Sequence, residues 1–223
     1  MAMNCFTISI AGVPIAVSDH SGSLQQMCRK YLRDDLSPEI TINAGTESGE
    51  IISVHREITE KLLDKSVLLM HGAAIATEGE AYIISAPSGT GKSYRAWKWI
   101  RQIPGSFFIN GDKPYLRIEE EKVLACGSPW CGKERMNSNT MLPLRAVFFL
   151  ERADETNVAK LSFAEALPEL LSQTYRPADS AKMRKTLELL MQLDGKVDFY
   201  RFQSTKEPES VLAAYEAARP KRV

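Results

Sequence analysis

Short runs in which apolar and polar residues alternate open the chain and predict β-structure. Two strands are predicted at residues 5–10 and 13–17, joined by a turn at Gly12, and a third at residues 39–43. A helix is predicted at residues 24–32. The small polar stretch 44–49, with its two glycines, is predicted to be a loop.

The pattern changes at Ser53, a suitable N-cap for a helix whose apolar face carries Val54, Ile58 and Leu62. Apolar runs then predict one strand over residues 67–76, a turn at 77–80 and a second strand at 81–85. Further strands are predicted at 107–109, 145–150 and 197–202, and a hairpin is formed by 115–119 and 122–126. Helices are predicted after residue 93 and at 163–171, 183–191 and 208–218.

Alternating strands and helices indicate an α/β protein, and the hairpins indicate that its sheet is mixed. The chain of 223 residues is long enough for one large domain. We therefore predict a small β-rich segment at residues 1–52 and a catalytic domain at residues 53–223.

Charge and composition narrow the function classes. Lys plus Arg and Asp plus Glu both number 28, so no net field attracts nucleic acid or an anionic membrane. No apolar run approaches the roughly 20 residues that span a bilayer, and the N-terminus lacks the pattern of a secretory signal. The four cysteines do not form a zinc-ligand pattern, which indicates reduced thiols. We expect a cytoplasmic protein that has neither nucleic acid nor a membrane as partner.

The segment 86–93, with sequence APSGTGKS, follows a predicted strand and precedes a predicted helix. It matches the phosphate-binding P-loop consensus G-x-x-x-x-G-K-[ST] except that Ala86 replaces the first glycine. Backbone N–H groups and the positive end of the helix can hold phosphates in such a loop, its lysine reaches the outer phosphates, and its last hydroxyl can ligate Mg²⁺. The predicted nucleotide-binding residues are Ser88, Gly89, Thr90, Gly91, Lys92 and Ser93.

Phosphoryl transfer also requires a carboxylate that holds the metal ion. Asp112, just past the predicted strand 107–109, is the candidate, together with Ser93 as a second metal ligand. The alternative for Asp112 is a turn residue, because Gly-Asp-Lys-Pro is a common turn composition. A positive charge for the transferred group could come from any of several arginines, among them Arg117, Arg135, Arg145 and Arg176.

Segments 68–74 (LLMHGAA), 88–93 and the Asp112 region resemble the catalytic domain of the HPr kinase/phosphorylase family, and more closely its short HPr-kinase-like branch, related to phosphoenolpyruvate carboxykinase. The resemblance covers roughly residue 53 to the C-terminus. It implies a mixed-sheet P-loop fold and an ATP- and Mg²⁺-dependent kinase. Members of the branch are often associated with peptide-modification gene clusters, where some phosphorylate a serine of a precursor peptide. The resemblance also implies that His71 lies near the phosphates.

The chain departs from the family at one position. An Asp-Asp pair follows the strand in the parent family, whereas this chain has Gly111 before Asp112. If Asp112 corresponds to the metal ligand, His71 or Glu134 must replace the base, or the base is dispensable. The predicted catalytic residues are Asp112, His71 and Lys92.

Residues 127–134 (GSPWCGKE) form a candidate acceptor loop, since glycines at both ends allow closure. Its candidate substrate residues are Trp130, Lys133 and Glu134; the alternative is a structural turn with a core tryptophan. We predict a kinase that acts on a hydroxyl, a serine of a peptide or small protein. A nucleotide-binding pseudokinase, a regulatory ATPase and a kinase of a free small molecule are the alternatives, and a homo-oligomer remains open.

Overall fold

A computed structural model describes residues 4–20, 22–43 and 50–220 of the chain. Its first unit is a three-stranded sheet made of β1 (Asn4–Ile10), β2 (Val13–Asp19) and β3 (Ile40–Asn43). Strands β1 and β2 are antiparallel, and β2 and β3 are parallel. Helix α1 (Ser23–Cys28) and a 3-10 turn (Arg29–Tyr31) connect β2 to β3.

Helix α2 (Glu50–Leu62) leads into the larger sheet through a 3-10 turn (Leu63–Lys65). Next come the strands β4 (Val67–Leu69), β5 (Ala73–Thr77) and β6 (Glu80–Ser85). Glu78 and Gly79 both have positive φ, the geometry that a tight two-residue hairpin between β5 and β6 requires. Helix α3 (Lys92–Gln102) then precedes β7 (Phe107–Asn110), β8 (Tyr115–Ile118) and β9 (Val123–Cys126).

The second half begins with the long strand β10 (Met141–Arg152) and the short β11 (Asn157–Leu161). Helices α4 (Phe163–Gln173) and α5 (Ser180–Met191), strand β12 (Asp198–Ser204) and helix α6 (Glu209–Ala218) complete it. Helix α4 starts at a capping box, because Ser162 Oγ accepts from Glu165 N and the Glu165 side chain accepts from Ser162 N.

Strand β10 joins the two parts of a curled, mixed sheet of nine strands. Its first residues pair antiparallel with β9, and its later residues pair parallel with β6 on one side and β12 on the other. Strand β5 continues the sheet from β6 to β7, and β8 continues it from β9 to β4. Strand β6 therefore lies inside the sheet, between its parallel neighbour β10 and its antiparallel neighbour β5, and it is almost entirely buried.

Three clusters of buried apolar side chains hold these layers together. One lies between the sheet and α4 and α5, and another lies between the sheet and α3 and α6. The third joins the N-terminal sheet to α2 and to residues of β4, β8 and β9, with Ile8, Ile58 and Tyr115 all fully buried. The N-terminal strands thus share one core with elements of the larger sheet.

The predicted mixed α/β organisation is confirmed, with its N-terminal strands and its hairpin at 115–126. The predicted single strand 67–76 is wrong, because the chain leaves β4 at Met70 and re-enters the sheet at Ala73 beside other partners. Ser53 does not cap a helix, since α2 already includes it. The predicted helix 24–32 ends as α-helix at Cys28, and β11 was not predicted. The predicted loop 44–49 lies outside the described residues.

Within the described ranges, no helix combines the length and apolarity needed to cross a membrane. All four cysteines lie in those ranges and are free thiols, as the sequence indicated.

Candidate functional site

The loop between β6 and α3 is exposed from Pro87 to Gly89 and becomes buried at Lys92, the first residue of the helix. Gly89 and Gly91 have φ of 81° and 111°, which are backbone conformations that residues other than glycine rarely adopt. The Lys92 ammonium donates to Ala86 O at 2.8 Å and to Pro87 O at 3.3 Å, so it lies inside the curve of the loop. Burial lowers the pKa of Lys92, and Asp112 opposes that shift through its negative charge. Lys92 and Asp112 are therefore electrostatic neighbours.

Asn110, the last residue of β7, organises the facing turn. Its Oδ1 accepts from the backbone N–H groups of Asp112 and Lys113 at 2.9 and 2.6 Å. Its Nδ2 donates to Ser128 O and Ser128 Oγ, at 3.1 and 2.9 Å. Asn110 is fully buried. Asn110 thus accepts the hydrogen bonds from the backbone of the turn. The Asp112 carboxylate takes no part in them and contacts other side chains.

Two basic side chains contact the Asp112 carboxylate. His71 Nε2 lies 3.3 Å from Asp112 Oδ1, and Lys113 Nζ contacts Oδ2. The hydrogen bond from His71 holds the pKa of Asp112 well below its usual range; Lys113 adds to this, and partial burial opposes it. Asp112 is consequently a fixed negative charge at neutral pH.

The C-terminal end of α4 positions His71, which lies in the break between β4 and β5. His71 Nδ1 is 3.0 Å from Gln173 Oε1, and the His71 backbone N–H donates to Gln173 O at 2.7 Å. The Gln173 amide donates through Nε2 to Ser172 Oγ. Because Ser172 Oγ donates to Glu169 O, the amide oxygen of Gln173 is the atom that faces His71.

A cavity of about 340 Å³ lies between the loop and the turn. It brings together five residues that the sequence singled out: Ser88, Ser93, Asp112, Lys133 and Glu134. The last of these is anchored to α3, since Glu134 Oε2 accepts from Trp97 Nε1 at 3.2 Å. His71 reaches this group through its contact with Asp112.

Gly111 occupies a position that leaves little room for a side chain. A Cβ atom there would stand 3.1 Å from Cys131 O and 3.3 Å from the Cβ of Met136. The backbone of Gly111 is also fixed, because its N–H donates to Met136 O at 2.8 Å. A second carboxylate at position 111 would thus require the 131–136 segment to move.

Trp130 is placed elsewhere. It is 8% exposed, belongs to the core that joins the N-terminal sheet to α2, and stacks on His55 with ring centroids 4.4 Å apart. Its side chain is not among those that line the cavity, although its backbone O accepts a hydrogen bond from Asn110 at 3.3 Å. The arrangement agrees with the alternative of a core tryptophan.

Four residues near the site were not predicted: Asn110 and Gln173, which contact the turn and His71, and Arg95 and Arg152, which lie beside the loop. Asn110 carried a usable signal, since an asparagine before Gly-Asp commonly accepts hydrogen bonds from the backbone that follows. Arg152 and Gln173 lie far along the chain from the loop and from His71, so no local pattern links them. Of the arginines proposed from the sequence, Arg117 contacts Ala11 O and Glu119, while Arg145 contacts Ala218 O and Asp198.

Comparisons with known proteins give a structural likeness but no match in sequence. No family model matches the sequence, and no curated protein matches it. Among solved structures, the HPr(Ser) kinase/phosphatase from Coxiella burnetii aligns with a TM-score of 0.40 and 11% sequence identity. The alignment covers 67% of this chain and 96% of that one. A likeness this distant does not by itself define what the chain binds or does.

Proposed function

We propose that the chain is an ATP- and Mg²⁺-dependent kinase that transfers the γ-phosphoryl group to a hydroxyl. One observation carries this proposal: Ser93, at the start of α3, and Asp112, after β7, line the same cavity beside a glycine-rich loop. The phosphate-loop chemistry needs a hydroxyl and a strand-end carboxylate in this relation.

The loop supplies the groups that hold the donor phosphates. The first N–H groups of a helix have no partner within the helix, and its N-terminus carries partial positive charge, so α3 favours an anion at its start. Lys92 adds a full charge at the same place, now directed at two carbonyl groups. Phosphate oxygens are stronger acceptors for an ammonium than neutral carbonyls, and we assign them as the partners of Lys92 in the complex.

Ser93 and Asp112 are the residues that would hold Mg²⁺. An ionised carboxylate and a hydroxyl are hard oxygen ligands, and Mg²⁺ in phosphoryl-transfer sites uses one or two carboxylates together with substrate phosphates. Bound Mg²⁺ would neutralise charge on the transferred group. Within the described residues, no three His, Cys, Asp or Glu side chains cluster as a metal site, so the fit rests on Ser93 and Asp112 alone.

The acceptor hydroxyl must lose a proton, and two side chains are candidates to receive it. His71 is held through both ring nitrogens, by Gln173 and by Asp112. Glu134 lines the cavity itself and accepts a hydrogen bond through only one carboxylate oxygen from Trp97. We therefore assign proton acceptance to Glu134, and to His71 the task of fixing the orientation and the charge of Asp112.

The acceptor is assigned as a serine of a peptide or small protein on the strength of the sequence resemblance. The cavity supports this assignment in one respect: Lys133 and Glu134, on its wall, belong to an exposed segment that a polypeptide can approach from solvent.

Thermal unfolding with and without Mg²⁺-ATP tests the donor site. Ligand at about 100 times its dissociation constant stabilises a protein by roughly 2.7 kcal/mol. For a chain of this size each kcal/mol raises the midpoint by roughly 2–4 °C. We expect a rise in the wild-type protein and in Gln102→Ala, an exposed control position at the far end of the same helix, but none in Lys92→Ala. An equal rise in all three proteins would contradict the proposal.

Transfer is tested with γ-labelled ATP and a library of serine-containing peptides. Wild-type protein should label peptides, and Asp112→Asn should not. ATP binding without labelling or ADP release would favour the pseudokinase, and ADP release without labelling would favour the ATPase. Labelling of a free small molecule in place of peptides would move the acceptor to that class.

A further inference from the structure

A second and larger cavity, of about 780 Å³, adjoins the loop. It shares no lining residue with the cavity beside Asp112: Ser88 and Ser93 line that smaller cavity, whereas Gly91 lines the larger one. The first turn of α3, the end of β10 and the segment after β12 form the rest of its wall. The loop therefore has space on two sides, and only one of them contains the metal-binding candidates.

Two guanidinium groups line this larger cavity beside the loop. Arg95 is buried and donates to Ser204 O at 3.1 Å and to Thr205 O at 2.8 Å. Arg152 donates to Thr90 O at 2.9 Å and contacts Gly89 O. Both arginines thus bind neutral carbonyls, and within the described chain neither is ion-paired with a carboxylate.

The two charges are also close to each other. Burial lowers the pKa of Arg95, and the positive charge of Arg152 lowers it further. Buried or adjacent charges of like sign are costly unless a counter-charge compensates them. The side of the cavity nearest the loop is therefore suited to an anion.

Beyond the arginines, the lining suits a planar, hydroxylated group. Tyr94 is 43% exposed as a residue, and its hydroxyl donates to Lys206 O at 3.0 Å, which fixes the ring at the cavity wall. Asp154 lines the same cavity, and carboxylates commonly accept hydrogen bonds from ribose hydroxyls. A volume of about 780 Å³ is within the range of small-molecule sites and larger than a phosphate group requires.

We propose that this cavity holds the nucleoside of the phosphoryl donor, so that the donor is a nucleoside triphosphate and not pyrophosphate or polyphosphate. Tyr94 contacts the base, Asp154 accepts from the ribose, and Arg95 and Arg152 lie beside the inner phosphates. The inference rests on the proposed function, in which the loop binds the donor phosphates.

Equilibrium binding by calorimetry, with Mg²⁺-ATP and Mg²⁺-tripolyphosphate as probes, tests the proposal. Wild-type protein should bind ATP at least about tenfold more tightly than tripolyphosphate, since a base stacked on an aromatic ring contributes about this much or more. Tyr94→Ala should remove that advantage and leave tripolyphosphate binding within about twofold of wild type. Tyr94→Phe, which keeps the ring and loses only the contact to Lys206 O, should bind ATP nearly as the wild type does.

Equal wild-type affinity for the two probes would overturn the proposal, and so would an unchanged ATP affinity in Tyr94→Ala. Lys92→Ala separates this failure from failure of the proposed function. If Lys92→Ala no longer binds either probe while Tyr94→Ala binds both as the wild type does, the phosphate-binding role of the loop is supported and the nucleoside cavity is rejected. If Lys92→Ala binds both probes as the wild type does, the loop itself is not the phosphate site and both proposals fall.

Discussion

The loop after β6 and the turn after β7 face each other and are built in opposite ways. The turn at residues 110–113 is fastened from inside by a buried asparagine, and its acid is further held by His71 and Lys113. The loop at residues 86–93 is largely exposed, and its polar contacts end on its own carbonyl groups, donated by Lys92 and Arg152. The rigid turn holds the Asp112 carboxylate in one position. The open loop instead binds donors, the side chains of Lys92 and Arg152, which can exchange its carbonyl groups for a stronger acceptor.

The rigid turn should be the more sensitive of the two to substitution. Asn110→Ala removes hydrogen bonds to five backbone or side-chain groups and leaves two partly buried backbone N–H groups without their acceptor. We expect the free energy of unfolding to fall by about 3 kcal/mol or more in chemical denaturation. Asn139→Ala, which removes one exposed hydrogen bond to Lys30 O, is the control and should cost less than about 1 kcal/mol. Equal losses in the two variants would show that the turn is not fastened as described.

The buried His55 side chain makes the free energy of unfolding depend on pH. Burial, aided by the charge of Lys113, lowers the pKa of His55 to about 3. The pKa of this histidine in the unfolded chain is near 6.5. Between the two pKa values the unfolded chain therefore binds a proton that the folded protein does not bind. Stability should therefore decrease as the pH falls, by about 2 kcal/mol between pH 7 and pH 5.

Denaturation curves at several pH values check this effect against His55→Phe. Phenylalanine keeps an aromatic ring against Trp130 and cannot titrate. It also removes the buried His55 Nε2, which has no hydrogen-bond partner. The variant should lose less stability over this pH range, by the amount that His55 contributes. Parallel curves for the two proteins would mean that water reaches His55.

Substitutions in the open loop should change the free energy of unfolding less. Its two glycines allow backbone strain to be distinguished from a steric clash. Both Gly89 and Gly91 have positive φ, so alanine is strained at either position. A Cβ at Gly91 would also overlap with a guanidinium nitrogen of Arg95, whereas a Cβ at Gly89 would meet open space. Because Arg95 is held by Ser204 and Thr205, it cannot yield without losing hydrogen bonds. Gly91→Ala should cost about 1 kcal/mol more in unfolding free energy than Gly89→Ala. Similar losses would indicate that Arg95 moves freely.

Local patterns were enough to predict where the open loop lies, and they allowed a turn at Asp112, but they did not predict the contacts that hold the turn. The loop is a continuous segment whose glycines, lysine and flanking elements all lie within a few positions of each other. The turn depends on contacts from distant segments, such as Ser128 on Asn110 and Gln173 on His71. A single sequence does not record which distant residues meet.

The break within the predicted strand 67–76 has a similar cause. Residues on both sides of it are apolar and buried, so no change of pattern marks the place. The chain turns there because β4 pairs with β8 while β5 pairs with β6 and β7. At Gly72 a Cβ would stand 2.7 Å from Ile83 Cγ2, which shows how closely the backbone passes β6 at the break. His71 is presented to Asp112 because the strand is interrupted at this point.

The parallel pairing of β6 with β10, and of β10 with β12, has a consequence for how the chain folds as it is synthesised. Strands β5 and β6 and the loop leave the ribosome early, but β10, the parallel partner of β6, comes much later, and Ser204, which holds Arg95, comes later still. Pairings between strands so distant in sequence have a high contact order and form slowly. The edge of β6 that β10 later covers is thus a surface to which chaperones can bind during translation, and a chain truncated before β12 would lack the contacts that support its loop.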